Sequence, residues 1–348
     1  MEKKQWTQIT VFLVIGIAAL FLTAASQNAV YTARISGALD TDSEIKITTA
    51  KNGNVILRKC KDYVYAMDSL FSEYKPKSDV SRINLAAGNG RPVEVEEDTA
   101  RLLARAKECA VETNGFFDVT VGNLVDLWDR AKEEEILPSP DDISAAIHTV
   151  DFKSLKVDTH KNTVELEKRG QKITLGGIAK GYITDGLVSL LQAEGVESAL
   201  INLGGNAYAL GKKNEFDSWN VGIQDPRNEN RLLGSVRVEN KCVITSGDYQ
   251  RYFELDGVRY HHIMNPNTGT PSNSGLKSVT IISDDATLAD ALSTACFVLG
   301  YSEGANLVRE YENVSAIFVM NSNTVYYSAE LEEIFDHDNP SYEYKAMN

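Results

Sequence analysis

Positive charge is scarce in this sequence: 35 lysines and arginines stand against 49 aspartates and glutamates, for a formal net charge of −14 and a pI near 4.9. The clustered cations that a phosphate backbone demands are missing, which excludes a nucleic-acid binder. The surplus of acid serves solubility instead. Cysteine is also sparse. Cys60, Cys109, Cys242 and Cys296 lie far apart with no CxxC spacing, which suggests neither a zinc site nor a dense disulfide framework. They read as small buried residues, one or two disulfides being open only in an oxidising compartment. Internal repeats and low-complexity linkers are absent too, which removes solenoid architectures.

Long hydrophobic runs are limited to one, the uncharged stretch Ile9 to Ala25 behind Lys3 and Lys4. Its length is at the low end for a membrane span. The flanking lysines favour a cytoplasmic N-terminus, placing everything after Gln27 outside. A retained signal anchor and a signal peptide cleaved near Ala25 or Ala29 both fit, and with no cysteine following the run, a lipoprotein anchor is excluded. The chain thus divides into residues 1–28, anchor or signal, and residues 29–348. At 348 residues with 43% apolar content, the chain is long enough to bury a sizeable core.

Period and punctuation give an α+β texture. A short connector leads to Glu44–Ala50, which alternates as a strand, and Val55 to Tyr74 carries helical apolar spacing. A polar loop, KPKSDVSRINLAAGNG, follows, then a helix from Asp98 to Gly115. Residues 131–147 read as a solvated surface insertion, with Ser139 and Pro140 suited to the cap and first position of a short helix. A hairpin is expected from Leu155 to Leu166. KITL reads as a strand running through a glycine turn into a helix ended by Gly195. Further strands are expected at Ala199–Leu203, Val221–Ile223, Cys242–Thr245, Ser278–Ile282 and Ala316–Met320, with helices near 285–299 and 302–311.

Several segments carry possible chemistry. In TLGGIAKGY a strand delivers Gly176 and Gly177 to a helix start with Lys180 one turn in, an arrangement able to hold an anion and equally able to be a plain tight turn. In ADALSTACFVLG, Asp290, Ser293 and Thr294 share one helix face, where hard oxygen atoms suit Mg²⁺ or Ca²⁺ or form a polar helix face. In ITSGDYQRYFELDGVRYHHIMNPNTGTP a hairpin turned by Asp256 and Gly257 leads into paired histidines, and a neutral imidazole can take a proton near pH 7. The glycine pair in NLGGNAYALG permits close backbone approach. Phe116 and Phe117 in NGFFDVTVGNLVDLW can stack a planar ring or fill a core.

Taken in order, SDVSRIN, NGFFDVTVGNLVDLW, TLGGIAKGYITDG, INLGGNAYALG, TSGDYQRYFELDGVRYHHIMNPNTGTP and ADALSTACFVLG resemble the ApbE family of FAD:protein FMN transferases. The resemblance implies an α+β, T-fold-like domain of mixed and antiparallel sheets packed with helices. It implies Mg²⁺-dependent transfer of FMN from FAD to a Thr or Ser hydroxyl of a partner protein, usually one of a membrane electron-transfer system, with release of AMP. Carried over residue by residue, it places metal ligands at Asp290, Thr294 and the Gly177 backbone oxygen, with Ser293 beside them. Flavin contacts fall on Tyr74, Phe116, Phe117, Asp118, Thr174, Lys180, Ile263 and Met264. His262 matches the histidine that helps deprotonate the attacking hydroxyl. This sequence departs from the family at three places: Thr174 where an Asp is usual, Asn265 where the family reads HIxDP, and Leu39-Asp40-Thr41 for a Met-Gly-Thr element. Loss of the acid at 265 is expected to loosen His262. Hydrolysis of FAD to FMN and AMP, and flavin binding without chemistry, are the competing readings.

Overall fold

The computed structural model describes residues 28–347. The expected anchor, Ile9 to Ala25, lies outside them. Among the described residues no helix is long and apolar enough to cross a membrane.

The strands are β1 Ala29–Ala38, β2 Thr41–Thr49, β3 Val93–Glu94, β4 Leu155–Asp158, β5 Thr163–Leu166, β6 Ser198–Leu203, β7 Asn206–Leu210, β8 Trp219–Asp225, β9 Asn228–Val238 and β10 Lys241–Gly247. They continue with β11 Tyr252–Leu255, β12 Val258–His261, β13 Leu276–Ser283, β14 Ser315–Met320, β15 Thr324–Tyr327, β16 Phe335–His337 and β17 Glu343–Ala346. The helices are α1 Gly53–Phe71, α2 Asp79–Ala86, α3 Glu97–Glu112, α4 Gly122–Glu134, α5 Pro140–Ile147, α6 Ala179–Ala193, α7 Ala286–Leu299 and α8 Tyr301–Val308.

A nine-stranded sheet of order β1-β2-β6-β7-β10-β13-β14-β15-β17 forms the frame, antiparallel except for the β15–β17 pair. Alternation assigns its two faces. Ile45, Ile47, Ile201, Leu203, Ile244 and Ile281 point into the main core with α1, α6 and α7. Ala209, Val243, Ile282 and Val319 point the other way, onto a three-stranded sheet β16-β9-β8 carrying Trp219, Val236 and Phe335. At the centre β13 is buried at all eight positions, as a strand covered on both faces must be.

Helix α7 is apolar nearly all round, and every residue of it is buried except Thr294 and Leu299. Asp285 caps it, its carboxylate accepting from Leu288 N at 2.8 Å, and Gly300 at φ 82° ends it. Packing against α6 is close because Gly181 has no side chain: a Cβ there would run into the Ala286 carbonyl and stand 2.9 Å from Asp290 Cβ. Each helix also caps or ties the other. Asp185 of α6 accepts from Ala286 N at 3.0 Å and Thr287 N at 2.8 Å, and Gly181 N donates to Asp290 Oδ2 at 3.0 Å. Burial pushes the Asp185 carboxyl up to about 6 against those hydrogen bonds.

Some expectations change. Helix α1 stops at Phe71, leaving Tyr74 beyond it. The polar loop contains α2, started by Ser78, whose hydroxyl accepts from Ser81 N, and anchored by Asp79, which accepts from Glu96 N and Thr99 Oγ1. KITL is extended but pairs only through an isolated bridge at Lys172, because side chains do a neighbouring strand's work: Asn84 both donates to Ile173 O and accepts from Ile173 N. The connector is the ten-residue edge strand β1. Residues 131–147 are only partly a solvated insertion. Ser139 does cap α5, yet Ile143, Ala146 and Ile147 pack with Trp128 and Met264 in a small third core. All four cysteines are buried and free, each on a different element.

Candidate active site

The site gathers where α6 begins, α7 passes, and the loop after β12 arrives. Asp290 is only 3% exposed, one oxygen fixed by Gly181 N. Beside it the Ser293 hydroxyl donates to the Asp290 carbonyl at 2.9 Å and lies 2.8 Å from Ser246 Oγ, which is also 3.4 Å from Thr294 Oγ1. Gly177 closes this group: a Cβ there would stand 3.1 Å from Thr294 Oγ1 and 3.3 Å from the Phe117 ring. A buried carboxylate, three hydroxyls and a bare glycine backbone thus converge, with Thr294 as the partly open member on α7. Hard oxygen atoms around a single carboxylate fit Mg²⁺, which takes few protein ligands and keeps places for water and phosphate. Among the described residues no group of three or more His, Cys, Asp or Glu is placed to hold a metal ion.

The two histidines have separate fates. His261 is buried, its Nε2 donating to Ser272 O at 2.8 Å and its Nδ1 accepting from Ile263 N at 3.2 Å, and it stacks edge-on against Phe297. It is a structural residue. His262 is accessible yet crowded by protein, and its Nδ1 contacts the Arg251 carbonyl at 3.2 Å. A carbonyl only accepts, so Nδ1 carries the hydrogen and Nε2 keeps the lone pair. Desolvation, with further depression from Arg251, His261 and Lys180, pulls the imidazole down to about 4 and leaves it neutral at pH 7. Lys180, the second residue of α6, is therefore within electrostatic reach of His262.

The Asn265 side chain accepts from Asn267 N at 2.9 Å, turning the loop, while the Arg251 carbonyl holds the histidine. Arg251 also reaches the Asp40 carbonyl at 3.4 Å, which brings in the Leu39-Asp40-Thr41 turn. That turn has left-handed backbone at Leu39 and Asp40, and Thr41 packs directly on Gly204.

The remaining expected contacts are unequal. Tyr74 is 67% exposed and available to a ring. Phe117 is buried beside Gly177, and Phe116 is half-buried against the main core. Both carboxylate oxygens of Asp118 are committed, one to Thr120 N and Oγ1 at 2.8 and 2.7 Å, the other to Phe152 N at 3.1 Å, and burial pushes its pKa up to about 6. Ile263 and Met264 are buried, Met264 in the third core, so their side chains are spent on packing. Thr174 donates its hydroxyl to Glu73 at 2.9 Å, and its N–H donates to Val119 O. The sequence reading missed Ser246, Arg251 and Glu73. Ser246 and Arg251 lie inside quoted motifs, whereas Glu73, adjoining SDVSRIN, carries no local signal.

The ApbE family profile matches residues 39–318. The chain belongs to the ApbE family. Among relatives in this family, the FAD:protein FMN transferase of Treponema pallidum is 38% identical over 276 residues, covering 75% of this chain and 76% of that protein. That of Klebsiella pneumoniae is 36% identical over 263 residues, covering 75% and 81%. Among solved structures, the ApbE protein of Thermotoga maritima superposes with a TM-score of 0.80 at 34% identity, over 89% of this chain and all of that one. The flavin transferase ApbE of Vibrio cholerae gives 0.77 at 25% identity over 88% of this chain and all of that one. The α+β fold of mixed sheets and helices is therefore the ApbE fold.

Proposed function

We propose that this chain is a transferase that moves FMN from FAD onto a Thr or Ser hydroxyl of an acceptor protein, releasing AMP, with Mg²⁺ at Asp290, Ser293, Thr294 and the Gly177 carbonyl. Its relatives are named for transfer of FMN from FAD to protein. The observation that carries the reading is the convergence of Asp290, Thr294, Ser293 and Ser246 beside Gly177, where a side chain would crowd the Thr294 hydroxyl. Bound Mg²⁺ would neutralise pyrophosphate charge.

The protein's own groups do the rest. The Gly176–Gly177 turn and the positive end of α6 favour phosphate, and Lys180 adds a cation there. The acceptor oxygen bonds to the phosphorus of the FMN half while the bond from that phosphorus to the bridging oxygen breaks, and the bridging oxygen leaves with AMP. His262 Nε2 takes the hydroxyl proton. Tyr74 offers a face for a planar ring, and Ser246 positions the hydroxyls of Ser293 and Thr294. By family resemblance the acceptor belongs to a membrane electron-transfer system, and by the sequence of residues 1–28 the remainder works outside the cytoplasm, behind a retained anchor or after cleavage of a signal peptide.

Mixing the purified protein, FAD, Mg²⁺ and a threonine-bearing acceptor domain is expected to give covalent flavin fluorescence in a denaturing gel. Asp290→Ala is expected to abolish it; undiminished labelling refutes the metal assignment. Free FMN and AMP without any labelled acceptor would instead identify a hydrolase.

A further inference from the structure

We propose that Glu73 fixes Thr174 as an acceptor-only group, so that the pair takes up a hydrogen-bond donor of FAD where a lone threonine would offer either polarity. This deepens the transferase reading above and rests on it.

Glu73 lies in the turn between α1 and α2, next to the exposed Tyr74 ring. One carboxylate oxygen accepts the Thr174 hydroxyl at 2.9 Å. The other is buried and forms an ion pair with Lys172 Nζ at 3.3 Å, a cation that is also 2.5 Å from Asp126. That ion pair uses one oxygen only and does not account for the bond of the other to Thr174.

Nor is Glu73 needed to shape the segment it touches. Residues 172–174 already have their backbone secured: Gly122 N donates to Lys172 O at 3.0 Å, Asn84 bonds both backbone groups of Ile173, and Thr174 N donates to Val119 O at 2.9 Å. What Glu73 decides is the state of two side chains. A threonine hydroxyl has one proton and two lone pairs. With the proton directed at Glu73, only the lone pairs face elsewhere. An aspartate, the residue that the family resemblance leads one to expect at 174, is likewise acceptor-only when ionised. Glu73 and Thr174 together therefore present the polarity of that acid from two places in the chain, the extended segment before α6 and the α1–α2 turn. The donors available on FAD are the flavin ring N–H, the adenine amino group and the ribose or ribityl hydroxyls.

The test uses the full protein and reads FAD binding by fluorescence quenching without acceptor, alongside KM and kcat for transfer. Glu73→Gln can turn its amide toward Thr174 and release the hydroxyl, so it is expected to weaken FAD about tenfold and raise KM in step, with kcat within twofold of the parent. Adding Thr174→Asp to Glu73→Gln restores an acceptor and is expected to bring FAD affinity back to within threefold. A merely structural Glu73 would lower thermal stability and would gain nothing from that second change. Unchanged affinity in Glu73→Gln, or a double variant no better than the single, overturns the proposal. Should Glu73→Gln fail to fold, Thr174→Val must still weaken FAD comparably, and full affinity in Thr174→Val overturns it as well. Parallel competition by AMP and by riboflavin distinguishes a donor on the adenosine half from one on the flavin half. A parent protein that binds no FAD would refute the transferase reading itself, a result distinct from all of these.

Discussion

Replacing Gly181 by alanine adds one methyl group at the closest point between α6 and α7, and two effects oppose each other. Alanine is the better helix former by about 1 kcal/mol in a helix interior. Against that, the new Cβ would stand 2.8 Å from the Ala286 carbonyl carbon and 2.9 Å from Asp290 Cβ, and closer still to the Ala286 oxygen. Carbon atoms prefer roughly 3.5–4.0 Å, so the helices must part by about 1 Å. Overpacking of this kind costs about 1–3 kcal/mol, and because the obstacle is the Ala286 backbone, the cost lies at the upper end. The net is a loss of about 2 kcal/mol, read as a fall in Tm of about 3 °C for a domain of this size. Function should suffer more than stability, because Gly181 N holds the Asp290 carboxylate and the displaced helix also carries Ser293 and Thr294. A displacement near 1 Å can cost about a hundredfold in rate. Differential scanning calorimetry and acceptor labelling, both at a temperature where the variant is folded, check the two parts. A variant with parental Tm and parental labelling would refute the close helix contact and the positional argument built on it.

Transfer should remain active well below pH 6, because His262 stays neutral until its pKa near 4; as pH falls through that value the base is protonated and lost. An acid limb of kcat/KM between pH 6 and 7 would refute that environment. Asp118 acts on stability in the opposite sense. Its folded pKa near 6 lies above the ordinary 3.8, so its contribution is fully present below about 3.8 and is lost as pH rises through 6. Denaturant titrations of Asp118→Asn should therefore show a flatter stability-against-pH curve between pH 4 and 6, by on the order of 2 kcal/mol over that window; an unchanged slope rejects the assignment. Ser246→Ala removes the hydroxyl shared by Ser293 and Thr294 and should raise the Mg²⁺ concentration needed for half-maximal labelling by several-fold, with Tm within a few degrees of the parent.

Much of this architecture is written in local pattern. Alternation fixed β2 and β6, Asp285 and Gly300 bracket α7, and the Asp256-Gly257 turn shows left-handed backbone at both residues, as a two-residue hairpin requires. Metal and base candidates were readable because they share helix faces or adjoin in sequence. What escaped depends on distant partners. Helix α2 is short and polar, and Asp79 stabilises it by reaching Glu96 and Thr99. KITL has the composition of a strand, but Asn84 occupies the place of its neighbour. Glu73 and Thr174 are 101 residues apart, so no periodicity could join them. Asp118 and Met264 carry the right residue types at matching motif positions, and only packing reveals that their side chains are already engaged.

The four buried thiols bear on how the chain matures. Cys60, Cys109, Cys242 and Cys296 belong to α1, α3, β10 and α7, and burial pushes Cys60, Cys109 and Cys296 up to about 12. The native state thus asks nothing of an oxidant, a disulfide isomerase or a reductant. Hazard is confined to the interval before the core closes, when all four sulfurs are exposed and a wrong pair could be trapped. Burial of α7 against the central strands is then a chemical safeguard for Cys296 as well as a folding step.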